Sequence, residues 1–151
     1  MTVTKRGMAL PLALLALVVM AALVAGGFAA AWLEQRIGRN ALYAVQAMAA
    51  GQAGAADVVG QWESHGLSLL ATGSTAVLPT VPLHGRISYS PAVTRLNGQL
   101  FLVRVAGVAG DAGGGELARR EVGLLVRTAD SISPGQPPVR PLGYRSWTVP
   151  F

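Results

Sequence analysis

Few residues in this sequence could carry catalysis. His65 and His84 are its two histidines, and it has no cysteine, which excludes a disulfide framework, a thiol nucleophile and a thiolate metal site. Glu63-Ser64-His65 contains residue types found in metal sites and catalytic triads. No HExxH, G-x-S-x-G, Walker or dinucleotide-binding signature accompanies them. We therefore interpret Glu63 and His65 as a cluster at a helix end and His84 as a loop or strand-edge residue. We expect no enzyme activity, cofactor or metal ion.

Other distinctive side chains also have simpler interpretations than ligand binding. Gly113-Gly114-Gly115 precedes a predicted strand, so it lacks the helix N-terminus at which glycine-rich loops bind phosphate. The pair Arg119-Arg120 is interpreted as a solvated strand edge that protects against aggregation. Packing anchors, rather than a ligand-binding box, are expected at Trp62, Trp147 and Phe151.

The charge distribution argues against a nucleic-acid partner. The formal net charge is +5 and the sequence pI is near 10.8. However, the basic residues are scattered, and the longest basic runs are the pairs Lys5-Arg6 and Arg119-Arg120. Surfaces that bind nucleic acid cluster their basic residues on one face or along one helix. We therefore expect no nucleic-acid partner.

The hydrophobicity of the chain is concentrated near its N-terminus. Of its 151 residues, 52% are apolar and 13% are charged, and its mean hydropathy is +0.46. No residue from Met8 to Leu33 is charged. As a helix this run would be roughly 39 Å long, which exceeds the roughly 30 Å hydrocarbon core of a bilayer. Trp32 lies where an interfacial aromatic residue is expected. Lys5 and Arg6 precede the run, so the positive-inside rule predicts a cytoplasmic N-terminus and a C-terminal domain outside the cytoplasm.

A cleaved secretory signal is the alternative interpretation of this segment. Ala29-Ala30-Ala31 would then supply the small-residue cleavage site. The apolar run is longer than the roughly 7–15 residues of a usual signal core, and the chain continues directly into a helical pattern. Both observations favour a retained helix, in which Gly26 and Gly27 mark either a weak point or a place where another helix approaches closely.

The helical pattern continues over residues 34–66. Its apolar positions are separated by three, four or seven residues and so form one helical stripe: Leu33, Ile37, Ala41, Val45, Met48, Ala55, Val59 and Trp62. Gly51, Gly54 and Gly60 each cost about 1 kcal/mol relative to alanine inside a helix. The prediction is therefore a helix that is continuous to about Ala50, with its continuation beyond that residue left open, and a stop signal near its end at Gly66.

Strand signals follow a connecting loop over residues 67–85. Arg86–Ser90 and Ala92–Leu96 flank Pro91, which is expected at a sheet edge or a strand break. Asn97-Gly98 predicts a two-residue type I′ hairpin turn. Two further strands are predicted over residues 99–108 and 116–128, joined by the Gly110–Gly115 turn. The prediction is an α+β fold, with a long transmembrane helix followed by a small antiparallel sheet over residues 86–130. A proline-rich segment completes it over residues 131–151, with one short edge strand at Tyr144–Val149.

The first residues resemble the signal of type IV pilin-like proteins. Lys5-Arg6-Gly7-Met8 precedes an apolar helix start, as it does in that family. The resemblance implies a leader over residues 1–7, which a membrane aspartyl peptidase removes by cutting between Gly7 and Met8 before it methylates the new N-terminus. It also implies a pilin-like fold with residues 8–33 as the transmembrane half of the first helix.

The similarity is closest to the PilX-type minor pilin or pilus-assembly group. Arg6-Gly7-Met8-Ala9-Leu10 matches the start typical of that group, and Glu34-Gln35-Arg36 matches an element that commonly follows its membrane helix. Major pilins carry a glutamate where this chain has Leu12, which favours a minor subunit.

The resemblance implies a structural subunit of a type IV pilus, held in the bacterial inner membrane by a single pass before it is added to a filament. Its implied partners are membrane lipid, the prepilin peptidase and other pilin-like subunits. The alternatives are a type II secretion pseudopilin and a single-pass anchor that carries a small binding module.

Overall fold

The computed structural model describes residues 9–129, 137–143 and 147–148. Within these ranges the chain forms one long helix, α1 (Ala9–Gly60), a short 3-10 helix (Leu67–Leu69) and seven strands. The strands are β1 (Thr75–Val77), β2 (Val81–Pro82), β3 (Ile87–Arg95), β4 (Leu100–Gly110), β5 (Glu116–Thr128), β6 (Val139–Pro141) and β7 (Trp147–Thr148). A long apolar N-terminal helix followed by a small antiparallel sheet confirms the predicted α+β class.

The chain divides into two compact units, Met1–Arg39 and Asn40–Phe151. In the first unit, the described side chains from Leu10 to Arg39 are all exposed. This part of α1 therefore has no interior of its own. An apolar surface of this extent is stable only against lipid or other apolar chains.

The second unit is built around three long antiparallel strands. The sheet runs in the order β1-β3-β4-β5-β6, with β2 also paired to β3 and β7 also paired to β5. The last part of α1 covers one face of this sheet. Its buried residues recur every three or four positions, as one face of a helix requires: Ala47, Ala50, Gly51, Gly54, Ala55 and Val58. Trp62, in the turn that follows α1, continues this buried face.

The core lies between this helix face and the sheet. Trp62 is fully buried and meets Phe101 edge to face, with 5.0 Å between the ring centroids and 86° between the ring planes. The other fully buried sheet side chains are mainly valines from β3, β4 and β5. β-Branched side chains pack well on a pleated surface.

The first half of the apolar stripe is not the face of α1 that packs within the chain. Val45 is 66% exposed, and Ala41 is exposed as well. Ala47 lies against Gly107 of β4 instead and is fully buried, and Ala44 is half-buried. The helix packs through its smallest residues because these permit the shortest distance between its backbone and the sheet. A pattern search that weights large apolar residues selects a different face.

The helix continues past Ala50, where its glycines left the prediction open, and reaches Gly60. A Cβ atom at Gly54 would lie 2.5 Å from the Tyr89 ring, and one at Gly51 would lie 2.9 Å from Val122. These glycines are sites of close packing, where burial offsets their low helix propensity. The helix ends six residues before the predicted stop, Gly66, whose φ of 62° closes the following turn.

Pro91 does not break its strand, contrary to one of its two predicted roles. β3 runs without interruption from Ile87 to Arg95, and Pro91 is buried between its neighbours. On one side β3 pairs with β1 up to Val77 and with β2 from Val81. Pro91 faces the gap between them, where its carbonyl accepts a hydrogen bond from Leu78 N. No strand needs the N–H that proline lacks at this point. The predicted loop over residues 67–85 thus contains two short strands.

The turn between β3 and β4 has a different geometry from the predicted one. Asn97 and Gly98 do lie in this connection, but neither has a positive φ, so the type I′ turn is wrong. Asn97 Oδ1 accepts hydrogen bonds from Gln99 N at 2.9 Å and Leu100 N at 2.8 Å. The asparagine side chain therefore closes the turn, and the left-handed backbone of a type I′ turn is unnecessary.

Candidate functional site: the exposed helix surface

The first part of α1 is the largest apolar surface among the described residues. Its leucine, valine, methionine and phenylalanine side chains are 51–75% exposed between Leu10 and Phe28. This helix is long and apolar enough to cross a membrane, and none of its most apolar stretch is buried within the chain. A single-pass anchor near the N-terminus is what this geometry can provide.

Gly26 and Gly27 lie toward the far end of this surface. Apart from the neighbouring backbone of α1 itself, no atom of the described residues comes within 4 Å of the position that a Cβ would occupy at either residue. Ala22, Gly26 and Ala30 follow one another at intervals of four residues, which places them on one face of the helix. Small residues at this spacing let two membrane helices approach closely. Nothing within the chain uses the space that these two glycines leave.

A polar and aromatic cluster ends the apolar surface. The Arg36 guanidinium lies over the Trp32 ring, 5.5 Å from its centroid. Trp32, Gln35, Arg36 and Arg39 line a shallow groove of about 230 Å³. Within the described chain, the guanidinium groups of Arg36 and Arg39 have no carboxylate within 4.0 Å. The cluster is therefore a small cationic surface with one aromatic wall.

A hydrogen-bonded group joins the last part of α1 to the sheet. The Tyr89 hydroxyl donates to Asp57 Oδ2 at 2.6 Å, and Gln61 Nε2 donates to Asp57 Oδ1 at 2.6 Å. Burial, reinforced by the Asp57 carboxylate, raises the pKa of Tyr89 to about 12. Ionising this tyrosine would place a second negative charge beside Asp57. The group is therefore a positioning contact between helix and sheet.

Arg95 was not identified by the sequence patterns, although its side chain donates four hydrogen bonds. It donates to the carbonyl oxygens of Leu70 at 2.6 Å, Ser68 at 3.4 Å, Gly98 at 2.9 Å and Asn97 at 3.1 Å. The same guanidinium lies 5.3 Å from the Phe101 ring centroid. Arg95 thus ties the segment after α1 to the turn between β3 and β4. No motif marks a single arginine for such a role.

The residues considered for catalysis do not come together. His65, His84 and Glu63 are all exposed. The Glu63 carboxylate accepts a hydrogen bond from Ser68, which in turn accepts one from Trp62. Over residues 9–129, 137–143 and 147–148 there is no group of three or more histidine, aspartate or glutamate side chains that could hold a metal ion. Glu63 thus supports the turn that follows α1.

The remaining sequence-predicted residues are dispersed. Arg119 and Arg120 are exposed on β5, where Arg119 pairs with Glu116 at 3.8 Å. Gly113 and Gly115 donate their N–H groups to Asp111 in the turn before β5. Trp147 is 49% exposed, so it packs only in part. The cleavage pair Gly7-Met8 and the expected anchor Phe151 lie outside the described residues.

Searches of the chain against protein-family models, curated proteins and solved structures found no significant match.

Proposed function

We propose that the chain is a pilin-like structural subunit, either a minor pilin or a pilus-assembly component of a type IV pilus. One observation carries the proposal. A single helix supplies an apolar, fully exposed stretch from Leu10 to Leu33, and its last turns pack on a small antiparallel sheet. Both parts have a role in a filament subunit: the helix lies first in lipid and then among other helices, and the sheet is displayed outside.

The arginine-glycine junction at the start supports the same role. Arg6-Gly7-Met8 stands directly before the apolar helix, where a prepilin peptidase would cut between Gly7 and Met8 and methylate the new N-terminus. Lys5 and Arg6 keep the leader in the cytoplasm. The sheet then lies outside the cytoplasm, with the bacterial inner membrane as the site of anchoring.

The unused space at Gly26 and Gly27 supports a partner for the helix. These glycines weaken the helix, and no contact within the described chain compensates for them. Close approach of a like helix would compensate, through van der Waals contacts that larger side chains prevent. In this proposal the subunit's work is assembly, and it requires no catalytic group.

N-terminal sequencing of the protein, co-expressed with a prepilin peptidase, tests the proposal. We expect a mature chain that begins with N-methylated Met8. The Gly7→Ala variant should still be processed in part. The Gly7→Glu variant should not be processed, because a peptidase cleft fitted to glycine excludes a charged side chain. A mature chain that retains Met1 would instead identify a simple membrane anchor, and one that begins at Trp32 would identify a cleaved secretory signal. Unchanged maturation of the Gly7→Glu variant would also contradict the proposal.

A further inference from the structure

The cationic cluster at the end of the apolar helix surface is not explained by filament assembly. It consists of Trp32, Gln35, Arg36 and Arg39, which follow one another at steps of three, one and three residues. Side chains with this spacing share one helix face. Glu34 lies two positions before Arg36, about 200° away around the helix, so its carboxylate is on the opposite side.

We propose that this cluster binds the phosphate of an anionic phospholipid. The inference rests on the membrane anchoring in the proposed function and does not depend on filament assembly. A guanidinium presents its N–H groups in a planar fork that matches the oxygens of a phosphate. Arg36 and Arg39 have no carboxylate partner within the described chain, so both forks are available to an external anion.

The depth of the cluster fits a headgroup. An uncharged run precedes it, and Trp32 is the kind of residue that lies at the membrane interface. Arg36 is four residues farther along α1 and Arg39 is seven, which places them about 6 and 10 Å beyond Trp32 along the helix axis. The headgroup layer on each side of a bilayer is roughly 5–8 Å thick. Arg36 therefore reaches the phosphates, and the long side chain of Arg39 can turn back toward them.

The contact between Arg36 and Trp32 holds one of the two guanidinium groups in place. A guanidinium over an aromatic ring is attracted to the negative face of that ring, and here the separation is 5.5 Å. The stack fixes the plane of the fork, so less side-chain freedom is lost when a phosphate binds. Lysine has the same charge but neither the planar fork nor the same stacking.

Lipid selection by the full-length protein can be measured through Trp32 fluorescence. The protein is reconstituted into phosphatidylcholine vesicles with increasing amounts of phosphatidylglycerol, and one of the two lipids carries bromine atoms that quench tryptophan on contact. Trp62 is fully buried and is shielded from the quencher. Trp147→Phe removes the exposed tryptophan of the sheet domain, and Trp32→Phe gives the background.

We expect phosphatidylglycerol to be enriched around Trp32 by about fivefold or more over phosphatidylcholine, since about 1 kcal/mol per basic residue near an anionic surface corresponds to fivefold. Arg36→Gln with Arg39→Gln should reduce this ratio to near 1. Arg119→Gln with Arg120→Gln removes the same charge elsewhere and should leave it unchanged. Arg36→Lys with Arg39→Lys should retain only part of the enrichment.

Three results would overturn the inference: no enrichment in the wild-type protein, an equal loss in the Arg119/Arg120 control, or full enrichment in the lysine variant. Alkaline extraction of the same vesicles separates this failure from failure of the proposed function. A protein that stays in the vesicle pellet without lipid selection refutes only the phosphate site. A protein released into the supernatant refutes the membrane anchor as well.

Discussion

In the first part of α1, the side of the helix at Gly26 and Gly27 is open, and a Cβ at either residue would meet no atom within 4 Å among the described residues outside the neighbouring backbone of the helix. In the last part, a Cβ at Gly54 would lie 2.5 Å from the Tyr89 ring. The same residue type thus serves two different needs along one helix. At Gly54 it allows packing within the chain, whereas at Gly26 and Gly27 it leaves room that only another molecule could occupy.

The difference shows why helix propensity is a poor guide to the role of a glycine. Each of these residues costs α1 a similar amount of helix stability. Their contributions differ because burial against Tyr89 and Val105 compensates Gly54 within the folded chain, and nothing described compensates Gly26. Substitutions at the two places should therefore change different observables.

The largest effect is expected at Gly107, on the sheet side of the close packing. A Cβ there would collide with the Ala47 carbonyl oxygen and would lie 2.6 Å from Gly51 N. Both obstacles are backbone atoms, which cannot rotate away. Gly107→Ala should destabilise the sheet domain by about 3 kcal/mol or more, at the upper end of overpacking costs. Denaturant unfolding monitored by Trp62 fluorescence measures this loss.

Gly98→Ala is the matched control for that variant, since a Cβ at Gly98 meets no atom within 4 Å and its φ is not positive. We expect a change within about 0.5 kcal/mol. Equal stability of the Gly107 and Gly98 variants would mean that the close approach of helix and sheet is wrong.

The contact between Asp57 and Tyr89 should make the stability of the sheet domain sensitive to alkaline pH. The pKa of Tyr89 is raised from 10.0 to about 12 in the folded protein. The stabilisation is complete below pH 10 and is lost as the pH rises toward 12, because the unfolded chain releases this proton first. The loss should reach about 2–3 kcal/mol.

Tyr89→Phe should abolish this alkaline loss, apart from the contribution of the other tyrosines, and should lower stability near neutral pH by about 1 kcal/mol. Unfolding free energies measured from pH 8 to 12 in both proteins provide the comparison. Parallel curves for the two proteins would show that Tyr89 ionises normally.

The role of the first part of α1 in assembly is tested by replacing both Gly26 and Gly27. Gly26→Leu with Gly27→Leu should leave membrane insertion intact, because leucine is more favourable than glycine in lipid. The same change should reduce recovery of the subunit in sheared surface fibres by roughly tenfold, equivalent to about 1.4 kcal/mol of lost helix contact.

Leu14→Ile with Leu17→Ile is a suitable control, since it alters the same helix without filling a glycine position. If the glycine variant is recovered in fibres as well as the control, close helix packing at Gly26 and Gly27 plays no part in assembly.

The smallest effect is expected at Gly38, which is exposed in α1 and has no atom within 4 Å of a Cβ position. Gly38→Ala should stabilise the helix by up to about 1 kcal/mol, whereas Gly54→Ala should destabilise the protein by about 1–3 kcal/mol. Helix content and thermal unfolding show whether each variant is more or less stable than the wild-type protein. Destabilisation by Gly38→Ala would indicate a close contact at that position.

The elements that depend on local pattern were predictable from the sequence. The uncharged run to Leu33 has the length of a membrane helix, and the strand predicted over Glu116–Thr128 after the glycine-rich turn matches the bounds of β5. Elements that depend on distant contacts were not predictable. Pro91 is tolerated inside β3 only because β1 and β2 leave a gap beside it, and the identity of the buried helix face depends on where Gly107 lies in the sheet.

The candidate surface and the turn between β3 and β4 were likewise predictable only in part. Gly26 and Gly27 were recognisable as small residues in an apolar helix. The fold was needed to show that no other described element packs beside them. Asn97-Gly98 predicted a turn at the right place with the wrong backbone, because the asparagine side chain supplies the hydrogen bonds at Gln99 and Leu100.

The four hydrogen bonds of Arg95 have a consequence for where and when the protein can mature. They fasten the segment after α1 to the β3–β4 turn through carbonyl oxygens, in a chain that has no cysteine. A disulfide would do similar work only after oxidation, and often after isomerisation. Because Arg95 needs neither, this connection forms independently of the redox potential of the compartment in which the domain folds.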